Sequence, residues 1–227
     1  MLAAKKKSEY LNDLLNAIKT IEKLPKKTLL NTESLTAFLY SAGPNLANTA
    51  STKERKEAGT GFKQHPRELA CALIVLAKLN VQTFVEVGTL WGWTASLTAA
   101  YLLKFSKSAR VTAVDADKNV FEFYSVIKNI LPIELLVPAT SETIKGRVFD
   151  ACFIDGNHRG QWPKNDYDNV GKFSKVCMFH DIKNVNCKNL CDFWAALKKD
   201  ENLICEEFAC CSNMAGIGVA IKKYKTN

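Results

Sequence analysis

The 227-residue chain has no apolar run approaching the ~20 residues that a bilayer-spanning helix needs. Its first residues, Met1-Leu-Ala-Ala-Lys-Lys-Lys, lack the hydrophobic region of a signal peptide. The expectation is a cytoplasmic protein with no membrane contact. There is no internal repeat and no low-complexity segment. No stripe of arginines with interleaved aromatics is present, so nucleic acid is a disfavoured partner. The chain also lacks the G-x-G-x-x-G nicotinamide fingerprint, because position 90 is Leu and position 93 is Trp. It lacks the Gly-Lys-Ser/Thr ending of a phosphate-cradling loop. A ligand carried by its pyrophosphate is therefore disfavoured.

What is present is a core-forming composition. Hydrophobic residues make up 47% of the chain, which excludes a disordered polymer. Net charge is +8, from 31 basic and 23 acidic residues, and the excess is mostly lysine on faces that read as solvated. Eight cysteines, at 71, 152, 177, 187, 191, 205, 210 and 211, fall mainly inside apolar patterns and read as buried thiols. Cys177, His180, Cys187 and Cys191 offer a zinc alternative. Cys177 and His180 are three apart on a predicted strand, however, and would face opposite ways.

Periodicity organises the chain into two parts. Residues 1–63 read as a helical cap, with helices over 8–24 and 34–40 and a Gly/Ser/Thr-rich loop over 41–64. Residues 64–227 read as the main domain. Helices are expected over 66–79, 93–105, 118–129, 163–172 and 188–199, with a short one at 141–145. Strands are expected over 83–87, 110–115, 133–137, 149–154 and 175–179, with two late strands at 203–208 and 216–222. Alternation of this kind calls for a doubly wound, Rossmann-like α/β fold. Its seven-stranded sheet is mostly parallel, ends in an antiparallel hairpin and is covered by helices on both faces.

The most informative stretch is Phe84-Val85-Glu86-Val87-Gly88-Thr89-Leu90-Trp91-Gly92-Trp93-Thr94. It reads as a buried strand, a glycine turn and the first turn of a helix. Asp115 ends the next strand. A glycine bend beside an acidic strand tip describes a nucleoside crevice at the carboxyl edge of a parallel sheet. The Asp115 carboxylate suits two ribose hydroxyls.

These segments, together with Asp150-Ala-Cys-Phe-Ile-Asp155-Gly-Asn-His158 and Phe179-His180-Asp181, resemble the class I S-adenosylmethionine-dependent methyltransferases. The closer likeness is to methyltransferase family 24, a small-molecule O-methyltransferase branch, and it runs from about Gln64 to Ala220. The resemblance implies that Glu86, Gly88, Thr89, Trp91 and Gly92 line the methionine and ribose side of S-adenosylmethionine. It places Asp115 on the ribose, Ala116, Ala139, Thr140 and Ser141 around adenine, and Asp155 at the crevice mouth. Gln64 and the Gly59-Thr-Gly61 turn are expected to close over the cofactor.

For chemistry, His158 is the candidate base, with Asp155 beside it, acting on a hydroxylated small-molecule acceptor such as a sugar or secondary metabolite. Asp155, His180 and Asp181 are the candidate ligands of Mg²⁺ or Mn²⁺. The sequence departs from the metal-dependent pattern in two places. Macrolide-sugar enzymes have an acidic residue where this chain has His180, and catechol-type enzymes have Asn where it has Ile182. Asp166 reads as an exposed helical carboxylate. Two other readings stay open. One is methylation of RNA or another phosphate-rich polymer through the lysine-rich N-terminal third, and the other is a cofactor-binding scaffold without turnover.

Overall fold

A computed structural model describes residues 2–42, 63–118, 123–210 and 215–223, with side chains from Tyr10 onward. Seven strands form one sheet in the order β3-β2-β1-β4-β5-β7-β6. They are β1 (Thr83–Val87), β2 (Arg110–Val114), β3 (Ile133–Leu136), β4 (Ala151–Ile154), β5 (Val176–His180), β6 (Leu203–Phe208) and β7 (Ile217–Lys222). The first five run parallel, and β7 pairs antiparallel with both β5 and β6. Strand order reverses between β1 and β4, and a doubly wound sheet opens a ligand crevice at that point.

The central strands read as continuous apolar runs because both faces are covered. All four residues of β4 (Ala-Cys-Phe-Ile) and all five of β5 (Val-Cys-Met-Phe-His) are buried. The edge strand β6 is half-buried at Leu203, Cys205 and Phe208 and exposed at Ile204, Glu206 and Glu207. Glu206 is a charge on an open edge, whereas the Glu207 carboxylate accepts from Trp194 Nε1 and pairs with Lys183 and Lys198. Beside it, Gly218 of β7 lies flat against Trp194, and a Cβ there would stand 2.7 Å from the indole. That contact seats the C-terminal hairpin on a helix.

The helices are α1 (Leu2–Lys23), α2 (Lys26–Leu29), α3 (Thr32–Ser41), α4 (Pro66–Lys78), α5 (Trp93–Phe105), α6 (Tyr124–Ile127), α7 (Trp162–Asn169) and α8 (Lys188–Leu197). Local chemistry starts several of them. The Asn31 side chain caps α3 by accepting from Ser34 N at 2.9 Å, and Pro66 occupies the first position of α4. Helix α8 buries Leu190, Trp194 and Leu197, one stripe at helical spacing. The N-terminal helices share the core of the sheet domain. Leu14, Ile18 and Ile21 of α1 belong to the same apolar cluster as Leu97 and Tyr101 of α5. Tyr101 Oη also donates to Leu29 O at 3.1 Å.

Differences from the sequence reading are local. β2 ends at Val114, so Asp115 is the first residue beyond the strand, and β3 stops at Leu136, before the cis Val137–Pro138 bond. β4 begins at Ala151, because the Asp150 carboxylate accepts from Gln82 N and Thr83 N, both at 3.0 Å, and ends the ladder there. β5 runs one residue further, which places His180 on the strand itself. The helix expected over 118–129 is observed as α6, with 119–122 outside the described residues. Most of the 41–64 loop, with its Gly59-Thr-Gly61 turn, also lies outside them.

Candidate active site

The tips of β1 and β2 lie side by side. Gly88 N and Thr89 N both donate to Val114 O, at 2.8 and 3.3 Å, so the glycine turn leaves β1 directly over the end of β2. Its backbone is left-handed at three positions, with φ of +91° at Gly88, +47° at Leu90 and +75° at Gly92. Leu90 carries a side chain in a region that costs such residues free energy, a feature that clusters at functional turns. Gly88 has a second constraint. A Cβ there would stand 2.5 Å from Gly156 Cα, so no other residue lets the β1 and β4 tips approach this closely.

This turn, the β2 tip and the loops after β3 and β4 surround a cavity of about 550 Å³, within the usual range for a small-molecule site. Glu86, Gly88, Thr89 and Trp91 border it on the β1 side, with Gly92 opening helix α5 behind them. Asp115, Ala116, Ala139, Thr140 and Ser141 border it beyond β2 and β3. Asp155, His158, His180 and Asp181 line its mouth beyond β4 and β5. Apart from Gly92, the cofactor, catalytic and metal candidates from the sequence thus border one space.

Asp115 is held by backbone donors. Leu90 N reaches its Oδ2 and Asp117 N its Oδ1, each at 2.9 Å. Glu86 is 1% exposed and accepts from Thr89 Oγ at 3.0 Å. Burial, reinforced by the nearby Asp155 charge, pushes the Glu86 carboxyl well above the usual carboxylate range.

The mouth is more strongly charged. His180 Nδ1 lies 3.0 Å from Asp155 Oδ1 and 3.8 Å from Asp181 Oδ1. His158 Nε2 lies 3.5 Å from Asp155 Oδ1 and 3.6 Å from Asp181 Oδ2. Burial opposes the Asp155 charge, but the His180 and His158 imidazoles outweigh it and hold its carboxyl well below the ordinary value. Burial likewise works against protonation of His180, and Asp155 overrides it, lifting the imidazole to about 9. Asp181 sits at φ +65°, an unusual backbone state for aspartate at a strand exit. His158 Nδ1 and His180 Nε2 are buried without a hydrogen-bond partner among the described residues. Such orphans are uncommon and mark places where a ligand completes the structure.

Two residues carry more than the sequence suggested. Gln64 is 3% exposed, donates from Nε2 to Asp155 Oδ2 and accepts from Thr94 Oγ at 2.8 Å. It joins α5 to the β4 tip along the wall of the cavity. Asp166 is 3% exposed rather than solvated, and it accepts from Ser141 Oγ at 2.5 Å. Burial raises its pKa. The available signal was Asp166 with Asn169 at i, i+3, one helix face that both residues turn toward Ser141. Trp91 lies under Lys63, whose Nζ is 5.6 Å from the ring centroid, and Trp162 stands 45% exposed at the rim. The proposed cysteine-rich zinc set does not form. Cys177 Sγ packs 3.1 Å from Cys152 Sγ in the core, whereas His180 faces the mouth.

Comparison with known proteins supports the architecture. No family model matches the chain, and no curated protein matches it. Solved structures do. The O-methyltransferase TomG from Streptomyces achromogenes, involved in tomaymycin synthesis and solved with S-adenosylmethionine, superposes with a TM-score of 0.59 at 12% identity. That match covers 79% of this chain and 93% of TomG. A Bacillus cereus O-methyltransferase in complex with S-adenosylhomocysteine gives 0.55 at 14% identity, covering 88% and 93%. The S-adenosylhomocysteine-bound Podospora anserina methyltransferase PaMTH1 gives 0.53 at 12%, covering 85% and 88%. The chain has the class I methyltransferase fold.

Proposed function

We propose that this chain is an S-adenosylmethionine-dependent methyltransferase acting on a hydroxyl oxygen of a small molecule. The observation that carries the reading is the crevice itself. A glycine turn and the Asp115 carboxylate flank a cavity that opens onto an Asp–His cluster. Solved proteins of this fold hold S-adenosylmethionine or its demethylated product.

Asp115 accepts from the ribose hydroxyls, and Ala116, Ala139, Thr140 and Ser141 surround the adenine. Trp91 presents an aromatic face to the sulfonium end. Methyl transfer is an in-line displacement. The acceptor oxygen bonds to the methyl carbon, the carbon–sulfur bond breaks onto sulfur, and the acceptor proton must leave. Alignment of oxygen and methyl supplies much of the rate. His158 takes the proton. The Asp155 and Asp181 carboxylates favour the tautomer with hydrogen on Nε2, which leaves the buried, unpartnered Nδ1 as the base. Asp155 is committed to Gln64, His158 and His180, so its part is to orient the imidazoles.

The donor set at the mouth also fits an ion. Asp155, His158 and His180 each bring one ligand atom within 4.8 Å of the others, with Asp181 Oδ1 3.8 Å from His180 Nδ1, and imidazole nitrogens suit Mn²⁺ better than Mg²⁺, which prefers oxygen throughout. Bound there, it would supply Lewis-acid polarisation of the acceptor oxygen. The test is methyl transfer from labelled S-adenosylmethionine across a panel of hydroxylated small molecules, with His158→Ala as control. Transfer that is unaffected in the variant contradicts the assignment of the base.

A further inference from the structure

Acidic side chains ring the cavity. Asp115, Asp155 and Asp181 border it, and the two histidines at its mouth are turned to Asp155. Among the described residues around it, Lys63 is the only lysine or arginine. We propose that Lys63 is the carboxylate seat of the crevice, at the end where helix α5 begins. The inference rests on the methyl-donor reading and deepens it.

Three observations carry the assignment. The first is the state of the Lys63 ammonium. It stands over the Trp91 ring, 5.6 Å from the centroid, and forms no ion pair among the described residues. The ring holds the charge above the glycine turn and leaves its N–H donors without an anion.

The second is the chain around it. Gln64, the next residue, is buried and bonded to both Asp155 and Thr94. Those bonds pin the Lys63 backbone between the mouth and the start of α5.

The third is α5 itself. Trp93 and Thr94, its first two residues, border the cavity. Gly92 gives the helix no side-chain cap, so its first N–H groups and the positive end of its dipole favour an anion. Trp93 Nε1 is buried with no hydrogen-bond partner among the described residues. An N–H donor in this state is uncommon, and a ligand oxygen would satisfy it.

Two molecules can bring a carboxylate here. S-adenosylmethionine carries one on its amino-acid end, its only anionic group, and an acidic acceptor would carry another. The donor fits better. Trp91 and the turn beneath Lys63 lie on the side of the crevice assigned to methionine, whereas Asp115, Asp155 and Asp181 repel an anion elsewhere around the cavity. Lys63 thereby selects a donor with its amino-acid tail over a bare thioadenosine.

Calorimetric titration of the wild type and Lys63→Met tests the seat with two ligands, S-adenosylhomocysteine and 5′-methylthioadenosine, which lacks the amino-acid end. Methionine keeps an apolar stem beside Trp91 and removes the charge. S-adenosylhomocysteine should bind the variant about tenfold more weakly, and 5′-methylthioadenosine should stay within about twofold of the wild type. Lys63→Arg should restore most of the lost affinity. Titration of 4-hydroxybenzoate into protein saturated with S-adenosylhomocysteine examines the other source. Loss of its binding in Lys63→Met, with both nucleosides unaffected, assigns the seat to the acceptor's carboxylate. Equal weakening of both nucleosides, or no change with any of the three ligands, overturns the proposal. Failure of the folded wild type to bind S-adenosylhomocysteine overturns the methyl-donor reading and this inference with it.

Discussion

Leu90 N donates to Asp115 Oδ2 at 2.9 Å, which fastens the glycine turn of β1 to the acidic tip of β2. The bond fixes a strained residue, since Leu90 sits at φ +47°. It also presents the carboxylate toward the cavity rather than toward bulk water. Loading of the crevice and the order of this turn are therefore coupled.

Gly88→Ala should disrupt the crevice more than its one added carbon suggests. The Cβ would meet Gly156 Cα at 2.5 Å, at a backbone with φ +91°. Strain and overpacking together predict a loss of about 2–4 kcal/mol in denaturant unfolding. Ala at the exposed Gly146, where a Cβ meets nothing within 4 Å, should cost only the left-handed strain of about 1 kcal/mol.

Gln64→Leu should destabilise the protein by about 1–3 kcal/mol, because Asp155 Oδ2 and Thr94 Oγ each lose a buried partner. Thr94→Val removes one of the same two bonds. The double variant should therefore fall short of the sum of the singles in a thermodynamic cycle.

Stability should decline toward alkaline pH. Folding lifts His180 from 6.5 to about 9. Its contribution is fully present below the unfolded value and is lost as pH rises from about 6.5 through 9. Asp155 acts on the acid side. Its folded pKa is depressed, so its contribution is present above the ordinary carboxylate value and is lost as pH falls below it. Glu86, raised by burial, adds to the alkaline loss from the carboxylate range upward. Urea unfolding should show the wild type losing about 1–3 kcal/mol between pH 6 and pH 9.5, and His180→Gln losing clearly less. Identical pH dependence in the two proteins would contradict the His180 assignment.

Ser141→Ala should leave Asp166 without its hydroxyl donor while the carboxyl stays buried, raising that pKa further. A cost of about 1–2 kcal/mol at neutral pH, smaller at pH 5, is the expected unfolding result.

The sheet was legible in the sequence because its central strands are buried on both faces and read as apolar runs, such as Ala151–Ile154 and Val176–Phe179. The Glu86–Gly92 turn was legible because glycine spacing and a preceding acid have few other uses. What escaped was set by long-range contacts. Nothing in Asn165-Asp166-Tyr167 announces that Ser141, 25 residues earlier, buries the carboxylate. The start of β4 moved because Asp150 takes the amides of Gln82 and Thr83 at the start of the neighbouring strand β1, far away in sequence. Gln64 drew notice only for its place before α4, since a lone glutamine carries no spacing signal. Its bonds to Thr94 and Asp155 exist only in the folded chain.

Calorimetric titration with S-adenosylhomocysteine tests the central claim most directly. The wild type should bind one molecule per chain, and Asp115→Ala, which removes a charged acceptor from the ribose hydroxyls, should bind at least about tenfold more weakly. No binding by the folded wild type, or equal affinity in the variant, would contradict the account.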